Sequence, residues 1–274
     1  MTATSINSTP DFLARILAQK SARLAQAREQ HPFELLRAAA LDVRQTAAPH
    51  RLQSALKTDE RLNVIAEFKR ASPSKGVIRT GLDPAVAARK YEEGGAAAIS
   101  VLTEEDYFQG SLEDLREVRA ATRLPVLRKD FIFDEYQIYE AAAAGADALL
   151  LIVAALNEER LAGLRCLTED ELGMDALVEV HTRSELEQAH ACGATLIGVN
   201  NRDLRSFNVS LDVSIELIRE APRGLTFISE SGLRSGEDLR RLRARGFQGF
   251  LIGETLMRAD KPEQALRALL DEEA

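Results

Sequence analysis

Glu67 and Lys69 stand two positions apart in NVIAEFKRASPSKG, and no other pair in this 274-residue chain is so sharply suited to chemistry. On an extended strand, residues two apart project to the same face while Phe68 points to the other. Two opposite charges aimed into an interior are costly unless they form a structural ion pair or receive a charged ligand. Lys129 ends the apolar run LPVLRK, where burial or a neighbouring cation would lower its pKa and suit it to proton transfer. Glu179 interrupts the otherwise apolar DALVEV and would serve as an acid or base opposite the lysines. Asn200 and Arg202 stand two apart in IGVNNRDL, an amide and a fixed cation able to hold hydroxyls and an anion. SESGL and LIGETLM are short glycine turns ahead of helical patterns, so the backbone N–H groups of Ser231, Gly232, Gly253 and Glu254 would converge on a phosphate. The plainer alternative is a connecting turn that uses glycine only for positive φ. Two lysines, two carboxylates, an asparagine and an arginine around one phosphate-binding cavity describe acid–base carbon chemistry without a metal.

Such residues need a scaffold that brings distant segments to one end. Eight apolar runs of strand length recur: LNVIAEF, AAAISVL, LPVLRK, ADALLLIV, DALVEV, TLIGVN, LTFISE and QGFLIG. Between and after them lie charged stretches of helical period, at 83–93, 112–122, 134–143, 158–171, 183–191, 211–220, 236–244 and 262–270. Apolar strands alternating with amphipathic helices predict a parallel sheet covered by helices, and eight units in this length favour an α/β (β/α)8 TIM barrel. A doubly wound open sheet is the alternative. The barrel is placed at residues 61–274. Residues 1–60 form an N-terminal helical extension with helical patterns at 11–30 and 32–41 and a connector after them. Its apolar content is too small for a core of its own, so it is expected to pack on the barrel and cover one mouth.

A formal charge of -8 with no long basic run argues against nucleic acid and anionic membranes as partners, but not against a small phosphorylated substrate in a local cationic pocket. The start MTATSINSTPDF lacks a signal pattern and no apolar run approaches a membrane span, which predicts a cytoplasmic protein. Cys166 and Cys192 have no partner at ligand spacing and read as packed thiols, and the four histidines do not converge, so no metal site is expected.

The same segments make the chain resemble the indole-3-glycerol-phosphate synthase family. IAEFKRASPSKG, SVLTEEDYFQGS, PVLRKDFI, LVEVH, IGVNNRDL, SESG and LIGETLM stand in family order from about Asn63 to Met257, and the N-terminal helices resemble that family's helical cap. The resemblance implies a carboxy-lyase of tryptophan biosynthesis that closes the indole ring of 1-(2-carboxyphenylamino)-1-deoxyribulose 5-phosphate, releasing carbon dioxide and water. It implies Lys129 as the general acid on the ribulose carbonyl, with Glu67, Lys69, Glu179 and Asn200 serving proton transfers and the dehydration. It places Ser72, Arg202, Ser231, Gly232, Gly253 and Glu254 around the substrate and its phosphate, and Phe108 and Phe131 beside the anthranilate ring. Some relatives carry serine at the Glu254 position, so this carboxylate is expected to turn away and lend only its backbone N–H. No cofactor is expected, because loss of carbon dioxide from the tetrahedral ring carbon restores aromaticity. The segment 70–82 is expected to close over the substrate. A single activity and a monomer or homodimer are expected. Phosphoribosylanthranilate isomerase, the nearest alternative, would place a cysteine at the end of the first strand, where this chain has none; a catalytically dead barrel used as a scaffold would lack some of the polar strand-end residues.

Overall fold

Every one of the eight apolar runs forms a strand. The computed structural model describes residues 12–58, 61–204, 206–219 and 221–271. Three helices come first, α1 (Phe12–Gln30), α2 (Phe33–Thr46) and α3 (Arg51–Leu56), followed by strand β1 (Val64–Phe68) and a two-residue antiparallel pair, β2 (Ala71–Ser72) and β3 (Gly76–Val77). Then α4 (Pro84–Glu93), β4 (Ala98–Leu102), α5 (Leu112–Ala121), β5 (Val126–Lys129), α6 (Glu135–Ala143) and β6 (Ala148–Ile152) alternate. The series continues with α7 (Glu158–Cys166), β7 (Asp175–Val180), α8 (Arg183–Ala191), β8 (Leu196–Asn200), α9 (Asp212–Arg219), β9 (Thr226–Glu230), α10 (Gly236–Arg243), β10 (Gly249–Ile252), α11 (Glu254–Arg258) and α12 (Pro262–Leu270). The eight long strands form a closed parallel barrel in the order β1-β10-β9-β8-β7-β6-β5-β4, so the open-sheet alternative does not hold. β1 closes it, pairing Ala66 with Ile252 on one side and Glu67 with Ser100 on the other.

Period-two alternation divides the core into two shells. Ile65, Ala98, Leu127, Ala148, Leu150, Leu177, Leu196, Ile228 and Leu251 fill the barrel interior, whereas Val64, Ala66, Phe68, Val101, Leu149 and Val178 pack outward under the helices. Because Ile65 faces in, Glu67 and then Lys69 face in above it, toward the carboxyl end. Short polar residues start the helices: Asp83, Ser111, Asp134, Asn157, Thr182 and Ser235 each accept a backbone N–H from the first turn.

The sequence reading is corrected in two places. α2 runs to Thr46, five residues past the predicted end, whereas the helical pattern predicted at 158–171 is filled by α7 and a π-helical turn at Leu167–Glu171. The stretch read as a connector holds α3, whose Leu52 and Leu56 are fully buried against the interior shell at the amino-terminal mouth. There the Asp175 carboxylate accepts the Leu52 and Gln53 N–H groups at 2.8 and 3.1 Å, and Asp147 pairs with Arg51 and Arg119 at 2.9 and 2.8 Å. The predicted helix limits at Asp11 and Glu220 lie outside the described residues.

Candidate active site

A cavity of about 610 Å³ opens at the carboxyl ends of the strands. All thirteen residues singled out in the sequence line it: Glu67, Lys69, Ser72, Phe108, Lys129 and Phe131 from the first half of the barrel, and Glu179, Asn200, Arg202, Ser231, Gly232, Gly253 and Glu254 from the second. Phe12 and Leu13 of α1 also reach it, so the N-terminal extension contributes to the wall.

At the centre the Lys129 ammonium lies 2.9 Å from Glu179 Oε2 and 3.0 Å from Glu230 Oε2. Across the cavity Lys69 Nζ is 2.5 Å from Glu67 Oε1. The structural ion pair and the chemical reading of these two residues therefore coexist: they pair, and they pair inside the cavity. Burial pulls the Lys129 pKa down, but Glu179, Glu230 and Glu67 outweigh it and hold the lysine above its ordinary value, so the expected lowering is corrected. Three carboxylates around one cation reverse the effect of desolvation. Lys129 is therefore held as a charged ammonium, able to donate hydrogen bonds into the cavity.

Glu230 lines the same cavity and was passed over in the sequence reading. It ends β9, is buried, and its Oε1 has no hydrogen-bond partner among the described residues. Burial, together with Glu179 and against the pull of Lys129, pushes it up to about 7. Glu179 is also raised by burial, but Lys129, His181 and the Asn200 amide more than offset this and hold it below the usual carboxylate range. The Asn200 side chain is oriented for that contact, because its Oδ1 accepts the Arg202 N–H at 3.0 Å. Two glutamates that share one lysine are thus shifted in opposite directions, the arrangement that separates a base from an acid. The signal for Glu230 was present, since TFISE carries an inward carboxylate at a strand end, as DALVEV does. Glycine makes the room: a Cβ at Gly198 would overlap Glu230 Oε1, and one at Gly253 would overlap Glu67 Oε1.

At one end of the cavity Ser231 and Gly232 both take positive φ, 66° and 81°, so successive N–H groups turn to one side, and Gly253 precedes the first turn of α11. Arg202 donates to Ser74 Oγ at 3.1 Å and so ties the end of β8 to the segment after β1. The Glu254 carboxylate is held by Arg258 at 3.1 Å and lies 3.9 Å from Lys75. Lys75, Arg234 and Arg258 add cations to this end, and none was singled out in the sequence. At the other end Phe108 and Phe131 form an apolar wall with ring centroids 6.4 Å apart. Buried charges position both rings. Glu104 accepts the N–H groups of Asp106, Tyr107 and Phe108, and Asp130 accepts that of Phe131 at 2.8 Å.

Comparison with known proteins assigns the chain a family. Residues 13–269 match the family model described as indole-3-glycerol phosphate synthase. The indole-3-glycerol phosphate synthase of Carboxydothermus hydrogenoformans is 49% identical over 94% of this chain and 99% of its own length, and that of Neisseria gonorrhoeae 50% identical over 91% and 95%. Among solved structures, a mandelate oxidase variant covers 85% of this chain and 83% of its own with a TM-score of 0.59 at 18% identity, and the N-acetylmannosamine-6-phosphate 2-epimerase of Clostridium perfringens covers 80% and 94% with a TM-score of 0.58 at 16% identity, similarities that extend to the barrel alone. The chain belongs to the indole-3-glycerol phosphate synthase family.

Proposed function

We propose that this cavity converts 1-(2-carboxyphenylamino)-1-deoxyribulose 5-phosphate to indole-3-glycerol phosphate, with Lys129 as the general acid of ring closure. The observation that carries the reading is the Lys129 ammonium between Glu179 and Glu230, opposite the Glu67–Lys69 pair, with an apolar wall at one end and anion-accepting turns at the other. The anthranilate ring lies along Phe108 and Phe131. The phosphate meets the N–H groups of Ser231, Gly232, Gly253 and Glu254, with Arg202 and Ser72 beside it. The Glu254 side chain, engaged with Arg258, stays out of the phosphate's way.

The ring carbon that bears the carboxylate attacks the ribulose carbonyl carbon, and the carbonyl oxygen takes a proton from Lys129. The carboxylate leaves as carbon dioxide, and the pair of electrons of the broken bond restores the aromatic ring. The new hydroxyl then departs as water with a proton from Lys69, which Glu67 orients, while Glu179 takes a proton from the C1 methylene. Two protons are delivered and one is recovered, so each turnover of the ionised substrate takes up one proton from solvent. Asn200 holds Glu179 in place for its role. The segment 70–82, which carries the β2–β3 pair and presents Ser74 and Lys75 to the cavity, is the element suited to close over bound substrate.

Indole fluorescence developing from the purified protein and this substrate, with chelator present, tests the reading. Turnover is expected, and Lys129→Met should lower it ~10²–10⁴-fold while the protein stays folded. Substrate binding without turnover would overturn the catalytic reading, and near-parent activity of Lys129→Met would overturn the role of that residue.

A further inference from the structure

His181 follows β7 directly, and none of the proposed steps uses it. Its side chain is only 13% exposed and lies between two carboxylates: Nε2 is 3.5 Å from Glu179 Oε1, and Nδ1 is 3.3 Å from Glu185 Oε2. Glu185, in the first turn of α8, also accepts the His181 backbone N–H at 2.5 Å, which fixes the carboxylate against the ring. Nε2 is buried and has no hydrogen-bond partner among the described residues, with the Glu179 carboxylate 3.5 Å away.

A neutral imidazole carries one N–H and one lone pair. Whichever nitrogen held the proton, the other would direct a lone pair at a carboxylate, buried at Glu179 and half-buried at Glu185. Only the doubly protonated ring presents a proton to both sides. The surroundings of the two carboxylates on Lys129 are unequal for the same reason. Glu179 has Lys129 on Oε2, His181 facing Oε1 and the Asn200 amide in addition, whereas Glu230 has Lys129 on Oε2 and an unpartnered Oε1.

We propose that His181 is a positioning residue, an imidazolium clamped between Glu179 and Glu185 that keeps Glu179 a carboxylate and so confines the exchangeable proton of the Glu179–Glu230 pair to Glu230. The inference deepens the proposed function, since it explains how Glu179 stays ionised to receive the C1 proton. The groups facing the ring are Glu179 on β7, Glu185 on α8 and Glu230 on β9, with Lys129 on β5 behind Glu179. Outside the barrel His181 borders a second cavity between α8 and α9, whose charged lining is Arg183, Glu187 and His190 on α8 and Glu216 and Arg219 on α9. Burial pulls the imidazole down, but Glu185 and Glu179 reverse this and raise it above its ordinary 6.5.

Two readouts test the inference, and the first needs no turnover. In an NMR titration of the protein alone, with the His181 resonance assigned by its loss in His181→Gln, the ring should titrate above its ordinary 6.5. In steady-state kinetics, His181→Gln should lower kcat about 10-fold at neutral pH with KM nearly unchanged, and activity should recover as pH rises because Glu179 then ionises unaided. His181→Lys, which restores a cation, should recover more of kcat than His181→Gln. A ring that titrates below its ordinary value, or a His181→Gln defect equal at every pH, would overturn the inference. A parent protein that shows the raised titration but makes no indole would instead overturn the proposed function.

Discussion

Burial and Lys129 pull the Glu230 carboxyl in opposite directions, burial prevails, and the consequence is measurable apart from catalysis. Burial gives Glu230 a folded-state pKa of about 7 against an ordinary 4.5. Below pH 4.5 the carboxyl is protonated in both the folded and unfolded chains and costs nothing. As pH rises the unfolded chain releases the proton first, so the native state binds more protons and stability falls until pH passes about 7. Glu230→Gln should remove that part of the slope. Urea midpoints for parent and variant at the two ends of the window should therefore converge at low pH and separate in the variant's favour at high pH. A constant offset across the window would refute the raised pKa. The same substitution should lower turnover, because the pair that divides acid from base would be reduced to one carboxylate.

At the scale of elements, α1 is held to the barrel by a buried charge. Lys20 Nζ lies 2.9 Å from Asp130 and 2.9 Å from Glu105, with its side chain 7% exposed. Asp130 adjoins Lys129 in sequence and also holds the Phe131 N–H. The pair thus links the extension to the loop that positions both the proposed acid and the apolar wall. Arg23 adds a pair with Asp106, and Tyr136 donates to the carbonyls of Ala27 and His31, so α1 is fixed along its length. Lys20→Met would strip one partner from a buried ion pair, a change that typically costs about 3–5 kcal/mol. The expected loss is below that range, because Arg128 still faces Asp130 at 3.0 Å. Chemical denaturation together with a double-variant cycle with Asp130→Asn should show strong coupling, and KM should rise as Phe12 and Leu13 loosen from the cavity wall. Additive effects of the two substitutions would argue that the pair does not anchor the helix.

For the whole molecule, net charge and local charge have opposite signs. The chain carries -8, yet the proposed substrate is anionic and enters a cleft lined by Lys69, Lys75, Lys129, Arg202, Arg234 and Arg258. A cleft focuses its own field, so local cations rather than the distant total should govern encounter. kcat/KM is therefore expected to fall several-fold as ionic strength rises from about 0.01 M to about 1 M, where the screening length shrinks from about 30 to about 3 Å. A rise with salt would mean that the acidic surface dominates. The barrel supports this arrangement from its opposite end. α3 and the Asp147 and Asp175 clusters close the amino-terminal mouth, which leaves the carboxyl end as the opening of the interior.

The strands, most of the helices and ten of the thirteen singled-out residues could be read in the sequence because they depend on local regularities: apolar period, strand alternation, cap residues and polar groups or glycine turns at strand ends; Ser72, Phe108 and Phe131 came only from the family resemblance. Glu67 and Lys69 face inward because alternation leaves them no other choice once Ile65 packs inside. α3 escaped that reading because six residues give too short a period, and only the contacts of Leu52 and Leu56 with the barrel floor make them a helix. Protonation was equally out of reach. Lys129 reads as a lysine whose pKa burial would lower, and its actual direction comes from carboxylates on β1, β7 and β9, brought within reach by barrel closure. Glu230 and His181 follow the same rule. Residue type and local spacing determined which groups enter the cavity, and the tertiary structure decided which of them share a proton, because electrostatic coupling depends on distance through space and on burial, neither of which the chain order contains.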